Sequence, residues 1–129
     1  MGHEQLVRET WDALSHGDLR PLEASLAPDA RWRAVEDGPW NCENRARIME
    51  VIRTNLERGL GGEIEEVRDL GEQHTLIGIR RENQGADAWP LDDGVRYMVL
   101  TFHEGLVSEM KGCPDRAAAL RYAGAAADA

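Results

Sequence analysis

Residues 95–111, VRYMVLTFHEGLVSEMK, decide the fold class of this 129-residue chain. Val95 to His103 is rich in β-branched and aromatic residues, and Leu106 to Lys111 resumes the pattern after Glu104-Gly105, a two-residue gap that fits a tight hairpin turn. Upstream, Ile64 to Leu70 and Thr75 to Arg81 have the same texture and are bounded by Gly, Asp or Asn. Four such strands read as an antiparallel meander. Its one longer connection, Asn83 to Gly94, contains Trp89 and Pro90.

Further upstream the period changes from two to 3.6. Leu6, Thr10 and Leu14 share one face of a helix from Glu4 to His16, with Val7 and Trp11 beside them and Gly17 as a left-handed stop. Asp18 can cap a second, shorter helix with Leu19, Leu22 and Leu26 inward and Pro21 in its first turn, and Pro28 and Asp29 end it. Ala30 to Glu36 reads as a strand in which Trp32, Ala34 and Glu36 share a face. A loop leads to a third helix capped by Asn44, with Ile48, Ile52 and Leu56 in register and Gly59 closing it. At the far end Asp115 can cap a short helix through Leu120. The expectation is one α+β domain over residues 1–129: a curved antiparallel sheet forming a cone, packed against three N-terminal helices, with a short C-terminal helix.

Hydrophobic residues make up 42% and charged residues 30% of the chain, a balance that supports a packed core and argues against disorder. With 15 basic against 24 acidic residues, the net charge of -9 is spread along the sequence. Such a surface repels phosphate, so neither nucleic acid nor an anionic membrane is an expected partner. No apolar run reaches the roughly 18–20 residues of a membrane span, and MGHEQLVRET lacks the apolar core of a signal peptide, which points to the cytoplasm. Cys42 and Cys113 accordingly read as free thiols. Zinc-ligand, phosphate-loop and nucleophile-elbow motifs are missing, and His3, His16, His74 and His103 join no cluster, so neither metal nor cofactor is expected.

The order helix, helix, strand, helix and four strands resembles the nuclear transport factor 2-like superfamily, in its SnoaL-like and ketosteroid isomerase-like branch. Three stretches carry the resemblance: HGDLRPLEASLAPDARW (16–32), WNCENRARI (40–48) and HEGLVSEMKGCPDRAAAL (103–120). It implies a cone around a pocket for a small molecule. It does not imply one activity, because isomerases, cyclases, epoxide hydrolases, dehydratases and noncatalytic modules share that fold.

Ketosteroid isomerases use a carboxylate base with a tyrosine and a protonated acid as oxyanion donors. The resemblance aligns these positions with Ala34, Thr10 and Met98. The aspartate that SnoaL-like cyclases often carry on the last strand aligns with Gly112. None of the four can transfer a proton, so the catalytic candidate is Glu36, one pleat beyond Ala34. Beside Trp32 its pKa is expected to rise, as suits a general acid or base, and the alternative is a surface residue ending the strand. Trp11, Trp32, Trp40, Tyr97, Met98, Met110 and Cys113 are the candidate pocket lining, since indole rings and thioethers suit an apolar or aromatic ligand. A homodimer through the outer sheet face is expected, built on Ile77, Ile79, Val95, Tyr97 and Val99. Two functions remain open: a cofactor-independent isomerase, cyclase or dehydratase acting on a small hydrophobic ligand, or a noncatalytic ligand-binding or interaction module.

Overall fold

A computed structural model describes residues 3–33, 41–57, 62–71, 73–81 and 95–124. Its elements in chain order are α1 (Glu4–Ser15), α2 (Arg20–Ser25), β1 (Leu26–Arg33), α3 (Arg45–Glu57), β2 (Gly62–Asp69), β3 (His74–Arg81), β4 (Val95–His103), β5 (Leu106–Cys113) and α4 (Arg116–Tyr122).

Helix α1 buries Val7, Thr10 and Leu14, a stripe spaced by three and four residues. It stops where the sequence says it should. Gly17 takes φ +83°, its N–H donates to the Leu14 carbonyl at 2.9 Å, and the Asp18 N–H donates to Ala13 at 2.9 Å, the paired bonds of a Schellman ending. The start of α1 is held from outside: the His3 N–H donates to both carboxylate oxygens of Asp69, at 3.1 and 3.0 Å. Asp69 thus performs from β2 the work of an N-cap, and Thr75 Oγ1 donates to it as well, at 3.0 Å.

The strands form one curved, open, mixed sheet in the order β1-β5-β4-β3-β2. The β2 to β5 meander is antiparallel as expected, and β1 joins β5 in parallel. Side-chain alternation reports faces and is blind to strand direction, so this last pairing was not visible in the sequence. Strand β1 also begins at Leu26, earlier than the Ala30 expected, because Leu26 is already paired with Val107. Pro28 is accommodated since β1 is a sheet edge, where a missing N–H leaves no ladder bond unmade, and the register shifts between Leu26 and Arg31. Glu104 and Gly105 take φ 52° and 83°, the two positive values of a type I′ hairpin turn.

Two apolar clusters lie on opposite faces of the sheet. The larger joins the helices α1 and α3 to Met98, Leu100, Phe102, Val107 and Met110. The smaller joins Leu70, Leu76, Val99 and Cys113 to Ala119 and Leu120 of α4. Helix α4 therefore covers part of the outer face, the face expected to carry the dimer contact. Asp115 caps it by accepting from the Ala118 N–H at 2.7 Å, and Arg116 forks onto Glu66 of β2 through two 2.9 Å bonds.

The expected dimer surface changes accordingly. Ile77 is paired with Met98, and Ile79 with Arg96, so both isoleucines face the concave side; Tyr97 and Val99, paired with Gly78 and Leu76, face α4. The period-two reading of β3 was one residue out of phase with that of β4. Val95's side chain lies outside the description.

Candidate functional site

The concave face is built from α1, β1, β4 and β5. Trp32 of β1 pairs with Met110 of β5, which pairs with Leu100 of β4, so one face runs across three strands. Trp32 is anchored further by a reciprocal bridge to Cys42, with N–H to O distances of 2.9 and 2.8 Å. Met98 lies two residues before Leu100 on the same face, opposite Gly112. Above them, α1 supplies its Val7-Thr10-Leu14 stripe, and Trp11 packs half-buried on the same cluster.

Of the positions that the resemblance aligns with catalytic groups, Thr10, Met98 and Gly112 all belong to this face. Ala34, Glu36, Trp40 and Trp89 lie outside the described residues. Trp11, Trp32, Met98 and Met110 belong to the helix-side cluster. Tyr97 and Cys113 do not: they are paired with each other across β4 and β5 and sit on the α4 side. The correction follows from the pleat, because neighbours such as Tyr97 and Met98, or Gly112 and Cys113, point to opposite faces. On that side the Glu66 carboxylate, hydrogen-bonded to Arg116 of α4, holds the guanidinium above its ordinary value.

Among the described residues, one polar atom of the concave face stands out. Thr10 is only 9% exposed, and its Oγ1 has no hydrogen-bond partner among the described residues. A helical threonine commonly donates back to the carbonyl four residues earlier; this one does not. A second polar group was missed in the sequence. Arg96 lies two residues from Met98, directly opposite Ile79, and its Nε is shut off from solvent. The signal was present in the alternation Arg96-Met98-Leu100, where a charge occupies a core phase.

Asp69, a carboxylate in a concave phase of the sheet, is paired with Thr75 and is committed to His3 and Thr75. The His3 ring stacks on Phe102 at 3.8 Å and 3°, which closes that end. Both cysteines are buried, and burial pushes both thiols above their ordinary value, the opposite of what activates a nucleophile. Among the described residues, no group of three His, Cys, Asp or Glu side chains could hold a metal ion. Nor is any described helix long and apolar enough to cross a membrane.

No family model matches the chain, and no curated protein matches it significantly in sequence. Solved structures do. A nuclear transport factor 2-like protein of unknown function from Burkholderia pseudomallei is 22% identical over 94% of this chain and 97% of its own, with a TM-score of 0.63. A protein from Sinorhizobium meliloti, provisionally described as a polyketide cyclase, is 16% identical over 84% of this chain and 93% of its own, at 0.66. A de novo designed protein with a curved β-sheet is 18% identical over 89% and 88%, also at 0.66. The chain has the nuclear transport factor 2-like fold. At these identities the likeness concerns the fold, and a designed relative of the same shape shows that the shape exists without an inherited activity.

Proposed function

We propose that this protein binds one small, largely apolar molecule against the concave face and offers that molecule the Thr10 hydroxyl. The buried Oγ1 of Thr10, without a partner among the described residues, carries the reading. A hydroxyl left unpaired in a core costs about 1–3 kcal/mol, and a ligand oxygen placed against it turns that cost into a hydrogen bond. Trp32, Met98 and Met110 supply the apolar and polarisable surface on which a ring would lie.

Binding without chemistry is the reading favoured by Thr10, Met98 and Gly112, which the resemblance aligns with the two oxyanion donors of ketosteroid isomerases and the aspartate of SnoaL-like cyclases. Turnover, if measured, falls to Glu36: Glu36→Gln then abolishes it and leaves binding intact, and unchanged turnover removes Glu36 from the mechanism.

Tryptophan fluorescence during titration with naphthol tests the proposal. Saturable quenching is expected, reduced in amplitude by Trp32→Phe. Thr10→Val should weaken naphthol by about 1 kcal/mol, or about fivefold, and leave methylnaphthalene, which has no oxygen, unaffected. Equal naphthol affinity for Thr10→Val and the parent protein would overturn the role given to the hydroxyl.

A further inference from the structure

The Thr10 hydroxyl oxygen is sealed from solvent as well as being without a partner among the described residues. A ligand therefore reaches it only when an element moves, and α1, which carries Thr10, is attached in a way that lets it move. Among the described elements α1 makes its main contacts with α2 and the edge strand β2, rather than with the central strand whose Met98 and Leu100 share its cluster.

The two ends of α1 are held differently. At its C-terminal end Gly17 takes φ +83° with nothing within 4 Å of the place a Cβ would occupy, so the connection to α2 has room to change its dihedral angles. At its N-terminal end the attachment is noncovalent and reciprocal. Asp69 accepts from the His3 N–H through both oxygens, at 3.1 and 3.0 Å, while the Asp69 N–H donates to Glu4 Oε2 at 3.1 Å. Thr75 Oγ1 holds the Asp69 carboxylate at 3.0 Å, and the His3 ring lies flat on Phe102 at 3.8 Å. One end is a hinge and the other a latch.

Thr10 lies midway between His3 and Gly17, so a swing about the hinge displaces it half as far as it displaces His3. A ring inserted beside Thr10 needs about 3.5 Å, the usual separation of packed carbon atoms, which asks for about 7 Å at His3. A displacement of that size breaks both His3 bonds to Asp69 and the stack on Phe102. The closed latch and a ring against Thr10 exclude one another.

We propose that the contact of His3 and Glu4 with Asp69 is autoinhibitory: it holds α1 down over the Thr10 hydroxyl, and a ligand binds only in competition with it. The proposal rests on the concave-face binding proposed above and adds its regulation. Apparent affinity is the intrinsic affinity reduced by the fraction of open protein, so weakening the latch should tighten binding while it lowers stability.

Naphthol titrations followed by tryptophan fluorescence test this. Asp69→Asn keeps one acceptor oxygen for the His3 N–H and gives up the charge, and should bind naphthol about tenfold more tightly than the parent protein. Glu66→Gln, which loosens the outer face instead, should leave the affinity unchanged. Proton NMR of the parent protein supplies a readout that needs no variant: the His3 ring protons, shifted upfield by Phe102 when the latch is closed, should move to ordinary positions as naphthol saturates. Naphthol binding that leaves the His3 shifts in place, or an affinity that is equal or weaker in Asp69→Asn, overturns the latch and leaves concave-face binding standing. Failure of naphthol to bind either the parent protein or Asp69→Asn overturns the concave-face reading and the latch with it.

Discussion

Removing the Thr10 hydroxyl should make the protein more stable. Thr10 lies in the buried stripe of α1 between Val7 and Leu14, at 9% exposure, with its Oγ1 unpartnered among the described residues. Valine has the same branched shape and nearly the same helix propensity, so Thr10→Val exchanges a hydroxyl for a methyl and changes little else. The unpaired hydroxyl costs about 1–3 kcal/mol, and allowing for partial relaxation around it, a gain of about 1–2 kcal/mol is expected. At about 2.1 cal/mol/K of unfolding entropy per residue, a domain of this size moves by about 4 °C per kcal/mol, so Tm should rise by about 4–8 °C. Calorimetry would read the shift, and urea unfolding should show a higher midpoint at an unchanged slope. Thr10→Ser, which keeps the hydroxyl and gives up the methyl, should lose about 1 kcal/mol. Stability and naphthol affinity should therefore move in opposite directions in Thr10→Val. An unchanged or lowered Tm would refute the reasoning, because it would mean that the hydroxyl is satisfied in the folded protein and has nothing to gain from a ligand.

Three further outcomes can be checked. Asp69→Ala strips α1 of its external cap and orphans the fully buried Thr75 hydroxyl, so urea unfolding should show a loss of about 2–4 kcal/mol, with Asp69→Asn intermediate. The Arg116 guanidinium holds the Glu66 carboxyl below its ordinary value, so the stabilisation is present above the unfolded value of about 4.3 and lost as pH falls through the folded one. With side chains 29% and 38% exposed, the pair is expected to give only about 0.5–1 kcal/mol, and Glu66→Gln should flatten the acid limb of the stability curve by that amount. Burial, aided by the neighbouring Glu109 carboxylate, pushes the Tyr122 hydroxyl up to about 12. Its stabilisation is complete below the unfolded value of about 10 and is lost as pH rises from there through the folded value, a loss that Tyr122→Phe should abolish in alkaline unfolding curves.

The elements legible in the sequence were those whose signal is local. Gly17 ended α1 through its left-handed φ, Asp115 capped α4, and the Glu104-Gly105 turn set the β4-β5 hairpin, because each needs only a few neighbouring residues to act. What was not legible depends on partners distant in the chain. The parallel union of β1 with β5 and the cap that Asp69 provides to α1 both arise from packing between segments far apart in sequence. The faces were legible within a strand and not between strands: Met98 and Met110 belong to the helix-side cluster, whereas Tyr97, Cys113, Ile77 and Ile79 were assigned to the wrong sides, since one slip of phase inverts a whole strand.

The designed protein of similar shape sharpens the question of which residues the fold itself requires. A curved sheet under helices needs apolar residues in every core phase, and most of this chain complies: Val7 and Leu14 in α1, Met98 and Leu100 in β4, Met110 in β5 and Trp32 on the edge strand β1. Thr10 breaks the rule, in a phase where an apolar residue would pack more cheaply. Local consistency is the usual condition of a well-folded sequence, and departures from it tend to mark sites that are kept for another reason. The outer face shows the contrast, since its charged residues Glu66 and Arg116 answer one another and hold α4 in place. The Glu66–Arg116 pair on the α4 side is thus explained by the fold, as is Asp69 with its bonds to His3 and Thr75, whereas the Thr10 hydroxyl has no such partner among the described residues.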